Sequence, residues 1–86
     1  MPADIAADVA RVLAALLEEK AWFRHGLTDE RLTELTGLLL QGVVAARLEA
    51  AAQGLVERRG IGTDRAVTML TPVGVARAQQ DNPVSA

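Results

Sequence analysis

The chain has 86 residues, half of them hydrophobic and only two aromatic, with nine bases against eleven acids for a net charge of −2. That length sets a single domain as the expectation, and the absence of cysteine excludes a disulfide framework and thiolate chemistry. No apolar run approaches the ~20 residues of a membrane span. The opening MPADIAADV carries two aspartates where a secretory signal has a basic region, so a cytoplasmic protein without a membrane partner is expected.

Residues 3–24 contain no Gly or Pro and are rich in Ala and Leu, which predicts a first helix. Ile5, Val9, Val12, Leu16 and Phe23 fall on one stripe, which Leu13 and Leu17 widen. Asp4 and Asp8 suit the positive end of the helix dipole. Gly26 is expected as the left-handed residue that ends the helix, and His25 beside it as a helix C-terminal residue. The stripe is wider than one small domain needs. A core of Leu, Val and Ala also gains less per residue than an aromatic one. A second, intermolecular core is therefore expected: a two-fold homodimer through the first helix, with Val9, Leu13, Leu16, Leu17 and Trp22 at the interface.

A second helix is expected within residues 27–38, with Thr28 as N-cap and Asp29 and Glu30 in its first turn. Leu32 and Leu35 are read as inward, and Thr36-Gly37 as the break. A third helix spans residues 38–53. Leu40, Val44, Leu48, Ala51 and Leu55 form its expected core stripe, and Gly54 stops it. Leu39 is left facing outward, on a strip with Gly42 and Ala46.

Residues 55–70 then read as a β-hairpin. LVER is one strand, GIGTD supplies turn residues, and RAVTML alternates. Ala66, Thr68 and Leu70 point one way, and Arg65, Val67 and Met69 the other. Thr71 suits an N-cap and Pro72 a first helical position, so a short closing helix follows. A polar tail is expected over residues 80–86. A lone hairpin is marginally stable in water, so it must lie on the helices. The expected class is mainly α with a small hairpin.

Four pieces in order carry a resemblance. They are Thr36-Gly37-Leu38 between the second and third helices, Gly54-Leu55-Val56 with Arg58, Asp64-Arg65, and Leu70-Thr71-Pro72-Val73-Gly74. Over residues 27–78 the chain resembles the winged helix-turn-helix of MarR-type bacterial transcriptional regulators. The resemblance implies one winged-helix domain over residues 1–79, with three helices, a two-stranded wing and a short C-terminal helix. It implies a homodimeric regulator that binds double-stranded DNA. Helix 38–53 would enter the major groove with Gln41 and Arg47. Wing 55–70 would hold phosphates or the minor groove with Arg58, Arg59, Thr63 and Arg65. The distribution of charge agrees: residues 1–34 hold seven acids and four bases, residues 35–86 four acids and five bases.

The third helix begins with Leu39 and Leu40 where a DNA reader places polar groups. The alternative is a winged helix used as a protein-interaction or assembly module, with a protein partner meeting Leu39. An enzyme is not expected. The chain has one histidine, no cysteine and no tyrosine, and Ser85 lies in the expected tail, which excludes a nucleophilic triad. Neither a metal site nor a cofactor is expected, since one histidine cannot build a zinc centre without other ligands and GIGTD lacks the phosphate-loop pattern.

Overall fold

The computed structural model describes residues 4–22, 25–63 and 65–81. The expectations for Phe23, Arg24, Asp64, Ser85 and the tail beyond residue 81 lie outside the described residues. Among the described residues, four helices and a two-stranded antiparallel sheet follow in the order α1 (Ile5–Glu18), α2 (Asp29–Thr36), α3 (Leu40–Ala52), β1 (Val56–Arg59), β2 (Val67–Leu70) and α4 (Pro72–Asp81).

The helix α1 is the centre of the molecule, with α2, α3, α4 and β2 all packed on it. Its N-cap is Asp4, whose carboxylate accepts from the Ala7 amide at 3.2 Å. The inward side is Val9, Val12, Leu13, Ala15 and Leu16, all buried. The core is built from Val, Leu and Ala, and Trp22 packs at its margin.

The helix ends at Glu18, well short of the expected residue 24. The chain turns at Lys20, whose φ of 55° lies in the left-handed region. Lys20 donates to the Leu17 carbonyl at 3.1 Å and Ala21 to that of Leu16 at 2.8 Å. These two bonds form a Schellman turn with lysine in the place usually held by glycine. Gly26 therefore has a different job from the expected one. A Cβ there would lie 2.5 Å from Val67 Cγ2 and 3.2 Å from the Thr68 carbonyl oxygen, so glycine lets this stretch approach β2. His25 is likewise not a helix cap: it is exposed, after the turn.

Ala21, Trp22 and Leu27 lie beside β2. Leu27 and Thr68 exchange two backbone hydrogen bonds, 2.9 and 2.8 Å, and Leu70 donates to the Ala21 carbonyl at 2.8 Å. On its other edge β2 pairs with β1, from Val56↔Leu70 to Arg59↔Val67. The sequence alternation is not seen in burial at the end of β2. Thr68, Met69 and Leu70 are all buried, because this strand lies inside the molecule with α1 and α4 packed on it.

Thr28 caps α2 as expected, accepting from the Arg31 amide at 3.1 Å, and Gly37 ends it at φ 75°. Leu32 is buried, but Leu35 is exposed, contrary to expectation. The closing helix α4 is held by Thr71. Its hydroxyl accepts from the Gly74 amide at 3.0 Å and donates to the Gly54 carbonyl at 2.6 Å. Gly74 lies against the Leu55 carbonyl so closely that any Cβ would collide with it. This helix continues to Asp81, past the start of the expected tail.

The correction that bears most on function concerns α3. Its buried residues are Val43, Ala46 and Ala50, spaced i, i+3, i+7. The expected core positions Leu40, Leu48 and Ala51 are exposed, and only Leu55 beyond the helix is buried. Ala46, expected outward, is completely buried. This helix is apolar nearly all round, so periodicity alone does not choose its inward side. The small residues face α1, which lets the two helices approach, and the leucines are turned away.

Candidate interaction surface on α3 and the hairpin

The residues expected to meet DNA separate into two groups. Arg47 and Arg58 are turned inward and converge on Asp29. Arg47 Nε and Nη2 donate to Asp29 Oδ1 and Oδ2 at 2.9 and 3.2 Å, a bidentate pair. Arg58 Nη1 lies 3.7 Å from Oδ2. The side chains are only 13% (Arg47), 18% (Arg58) and 21% (Asp29) exposed. This cluster ties the start of α2 to the middle of α3 and to β1. Its arginines are therefore engaged within the chain rather than presented outward.

Gln41, Arg59, Thr63 and Arg65 are exposed. Arg59 has one loose partner, Glu57 at 3.9 Å. Arg65 has no side-chain partner among the described residues. Thr63 is occupied locally: its hydroxyl donates to the Gly60 carbonyl at 2.6 Å and accepts from the Arg65 amide at 3.2 Å, which shapes the hairpin turn. Ile61 stands at the tip of that turn, exposed. The remaining ion pairs are peripheral. Arg31 bridges Glu34 and Glu19 at 3.0 and 3.2 Å, and hydrogen bonds from Arg31 to these carboxylates, Glu34 first, hold its pKa above the ordinary arginine value.

The side chains expected at a dimer interface are also turned inward. Val9, Leu13 and Leu16 are buried in the chain's own core, and Leu17 and Trp22 are half-buried against it. Helix α1 uses Val9, Leu13 and Leu16 for its own core, while Leu17 and Trp22 keep part of their surface exposed.

The outward side of α3 has the opposite character. Leu39, the N-cap, is 72% exposed, Leu40 53% and Leu48 58%. Val44, half-buried, lies between the last two at helical spacing, and Ala45 and Ala52 are exposed alongside. The only formal charge on this side is Glu49, which accepts from Gln53 Nε2 at 3.1 Å. Isolated exposed leucines are ordinary; several on one helical side form a patch that marks an interaction site. Leu39 was legible in advance as outward. Leu40 and Leu48 are not, because they fit the i, i+4 core pattern equally well, and in the sequence Asp29 is only a first-turn acid. No sequence signal distinguishes its pairing with Arg47 from simple dipole compensation.

A second concavity lies on the other side of the hairpin. Trp22, Leu70, Pro72 and Val75 line a groove of about 760 Å³, with Glu57, Arg59 and Thr71 contributing polar atoms. Among the described residues no group of three His, Cys, Asp or Glu side chains could hold a metal ion. No single helix among them is long and apolar enough to cross a membrane.

In comparisons with known proteins, the chain matches no family model, no curated protein and no solved structure.

Proposed function

We propose that this chain is a winged-helix domain that works as a protein-interaction module, with the outward side of α3 as its contact surface. The order of elements supports the winged-helix reading: three helices, an antiparallel hairpin, and a helix capped by Thr71. Where such a domain would insert α3 into the major groove, this one presents Leu39, Leu40, Val44 and Leu48. Base edges and phosphates are met by donors, acceptors and cations, and the one arginine of α3 is spent on Asp29. The exposure of Leu40 and Leu48 on that side is the observation that carries the reading.

The test is selection from a random duplex library at low salt. No sequence should be enriched. Enrichment of one site, lost on Gln41→Ala, would contradict the reading.

A second reading, double-stranded DNA binding, is favoured by one observation. Arg59 and Arg65 are exposed on the hairpin, and Arg65 has no partner among the described residues. On that reading affinity falls with salt, and Arg65→Ala reduces the log–log salt slope by about one unit. An unchanged slope makes Arg65 a solubilising residue.

A further inference from the structure

Arg58 is a mostly buried cation without a hydrogen bond among the described residues. Its side chain is 18% exposed. Its Nη1 lies 3.7 Å from Asp29 Oδ2, beyond hydrogen-bond reach, and its buried Nε has no partner among the described residues. Across the hairpin stands Thr68, completely buried, whose hydroxyl is likewise without a partner there. The register sets these two unsatisfied groups together, since Arg58 pairs with Thr68. Thr68 spends its backbone amide and carbonyl on Leu27, at the opposite edge of β2. Its pairing with Arg58 is therefore of the non-hydrogen-bonded kind. In such a pair the two side chains share one face at their closest approach, with Cβ atoms ~4.5–5.5 Å apart. Asp29 follows Leu27 by two residues, beyond that opposite edge, so Arg58 passes Thr68 to reach it.

Buried polar groups are normally paired, and each exception calls for a partner. The Nε–H group can only donate, and a hydroxyl can donate to the same acceptor. The charge points the same way. Arg47 and Arg58 share one carboxylate, that of Asp29, and no other described acid lies within ion-pair distance of either. Two cations against one anion leave a positive charge uncompensated where it is largely removed from water, which is costly. A water molecule would accept from Nε and leave that charge in place. An anion answers both donors and the charge together, and the complete burial of Thr68 requires a small one.

We propose that Arg58 and Thr68 hold a small inorganic monoanion, of the chloride class, between Nε and the hydroxyl. Bound there, it neutralises the cluster that ties α2, α3 and β1 together. The stability of the fold then depends on which anion is present, and not only on ionic strength. This site is separate from the outward side of α3 and stands whichever partner that surface takes.

The test is thermal unfolding at constant ionic strength, with sodium chloride replacing sodium gluconate in steps. The melting temperature should climb and level off, by roughly 4–8 °C once chloride stands about five-fold above its dissociation constant. Arg65→Ala removes an exposed cation and should keep the response. Thr68→Val, without the hydroxyl, and Arg58→Met, without the charge, should each lose it. Because either variant could fold poorly, the place is read separately on the wild-type chain. Crystals grown in sodium bromide should show an anomalous-scattering peak within hydrogen-bond distance of Arg58 Nε and Thr68 Oγ1. Equal melting temperatures in chloride and gluconate overturn the proposal. A response that survives in both Thr68→Val and Arg58→Met, or bromide confined to exposed cations such as Arg65, overturns it by showing an adventitious ion only. A Thr68→Val chain more stable than the wild type by the same margin in both salts also overturns it, since that margin is the cost of a hydroxyl that nothing satisfies.

Discussion

Asp29 holds two arginines at once. Its carboxylate receives both forks of Arg47 and stands within 3.7 Å of Arg58. All three side chains are more than three-quarters buried, and Arg58 Nε has no hydrogen-bond partner among the described residues. Removing the shared anion leaves two guanidinium groups half desolvated and unpaired, the costly case for charged clusters. Asp29→Ala should therefore destabilise the fold by about 3 kcal/mol. For a domain of this size that lowers the melting temperature by roughly 10–20 °C. Arg59→Ala, at an exposed position with one loose partner, should stay within about 0.5 kcal/mol of the wild type. Thermal unfolding followed by circular dichroism measures both. Equal, small effects would mean that the cluster is held by the fold and contributes little to it. This cluster also shows what a residue list conceals: Arg47 and Arg58 read as two of the few basic residues beyond residue 34, and distance along the chain gives no sign that one aspartate in α2 engages both.

At the scale of elements, two helix ends are built alike from different residues. After α3, Gly54 (φ 73°) donates to the Ala51 carbonyl at 3.0 Å and Leu55 to that of Ala50 at 2.9 Å. This is the turn that Lys20 and Ala21 make after α1. Lysine in the left-handed region costs energy that glycine does not. Lys20→Gly should raise stability by about 0.5–1 kcal/mol, while Gly54→Ala, where no neighbour lies within 4 Å of the new Cβ, should lower it by about 1 kcal/mol. Denaturant titration should give opposite signs; two losses would show that the side chain of Lys20 matters more than its backbone. The same pair explains what was legible. Gly37, Gly54, Thr28, Thr71 and Pro72 mark their element ends by residue type, and those boundaries are where the sequence places them. The end of α1 is marked by a lysine, which carries no such signal, and the expected helix runs six residues too far as a result. The inward side of α3 was illegible for a different reason. Val43, Ala46 and Ala50 form one apolar row and Leu40, Val44 and Leu48 another. The larger side chains suggested the second, whereas close packing on α1 selects the first.

For the whole molecule, the consequence is a division of surfaces. The core uses up Val9, Leu13 and Leu16, and the apolar surface left on α1 is Ile5, partly exposed Leu17 and small alanines. The cations near α3, Arg47 and Arg58, are both turned onto Asp29. What remains outward is an apolar ridge on α3 and a hairpin bearing Arg59 and Arg65. The proposed protein contact and the DNA reading thus make opposite demands on the same helix. Backbone amide shifts of the ¹⁵N-labelled chain decide between them in one measurement. On adding a mixed-sequence duplex at low salt, the amides of Leu40, Val44, Ala45 and Leu48 should stay in place. Shifts along α3 that follow the duplex would contradict the account.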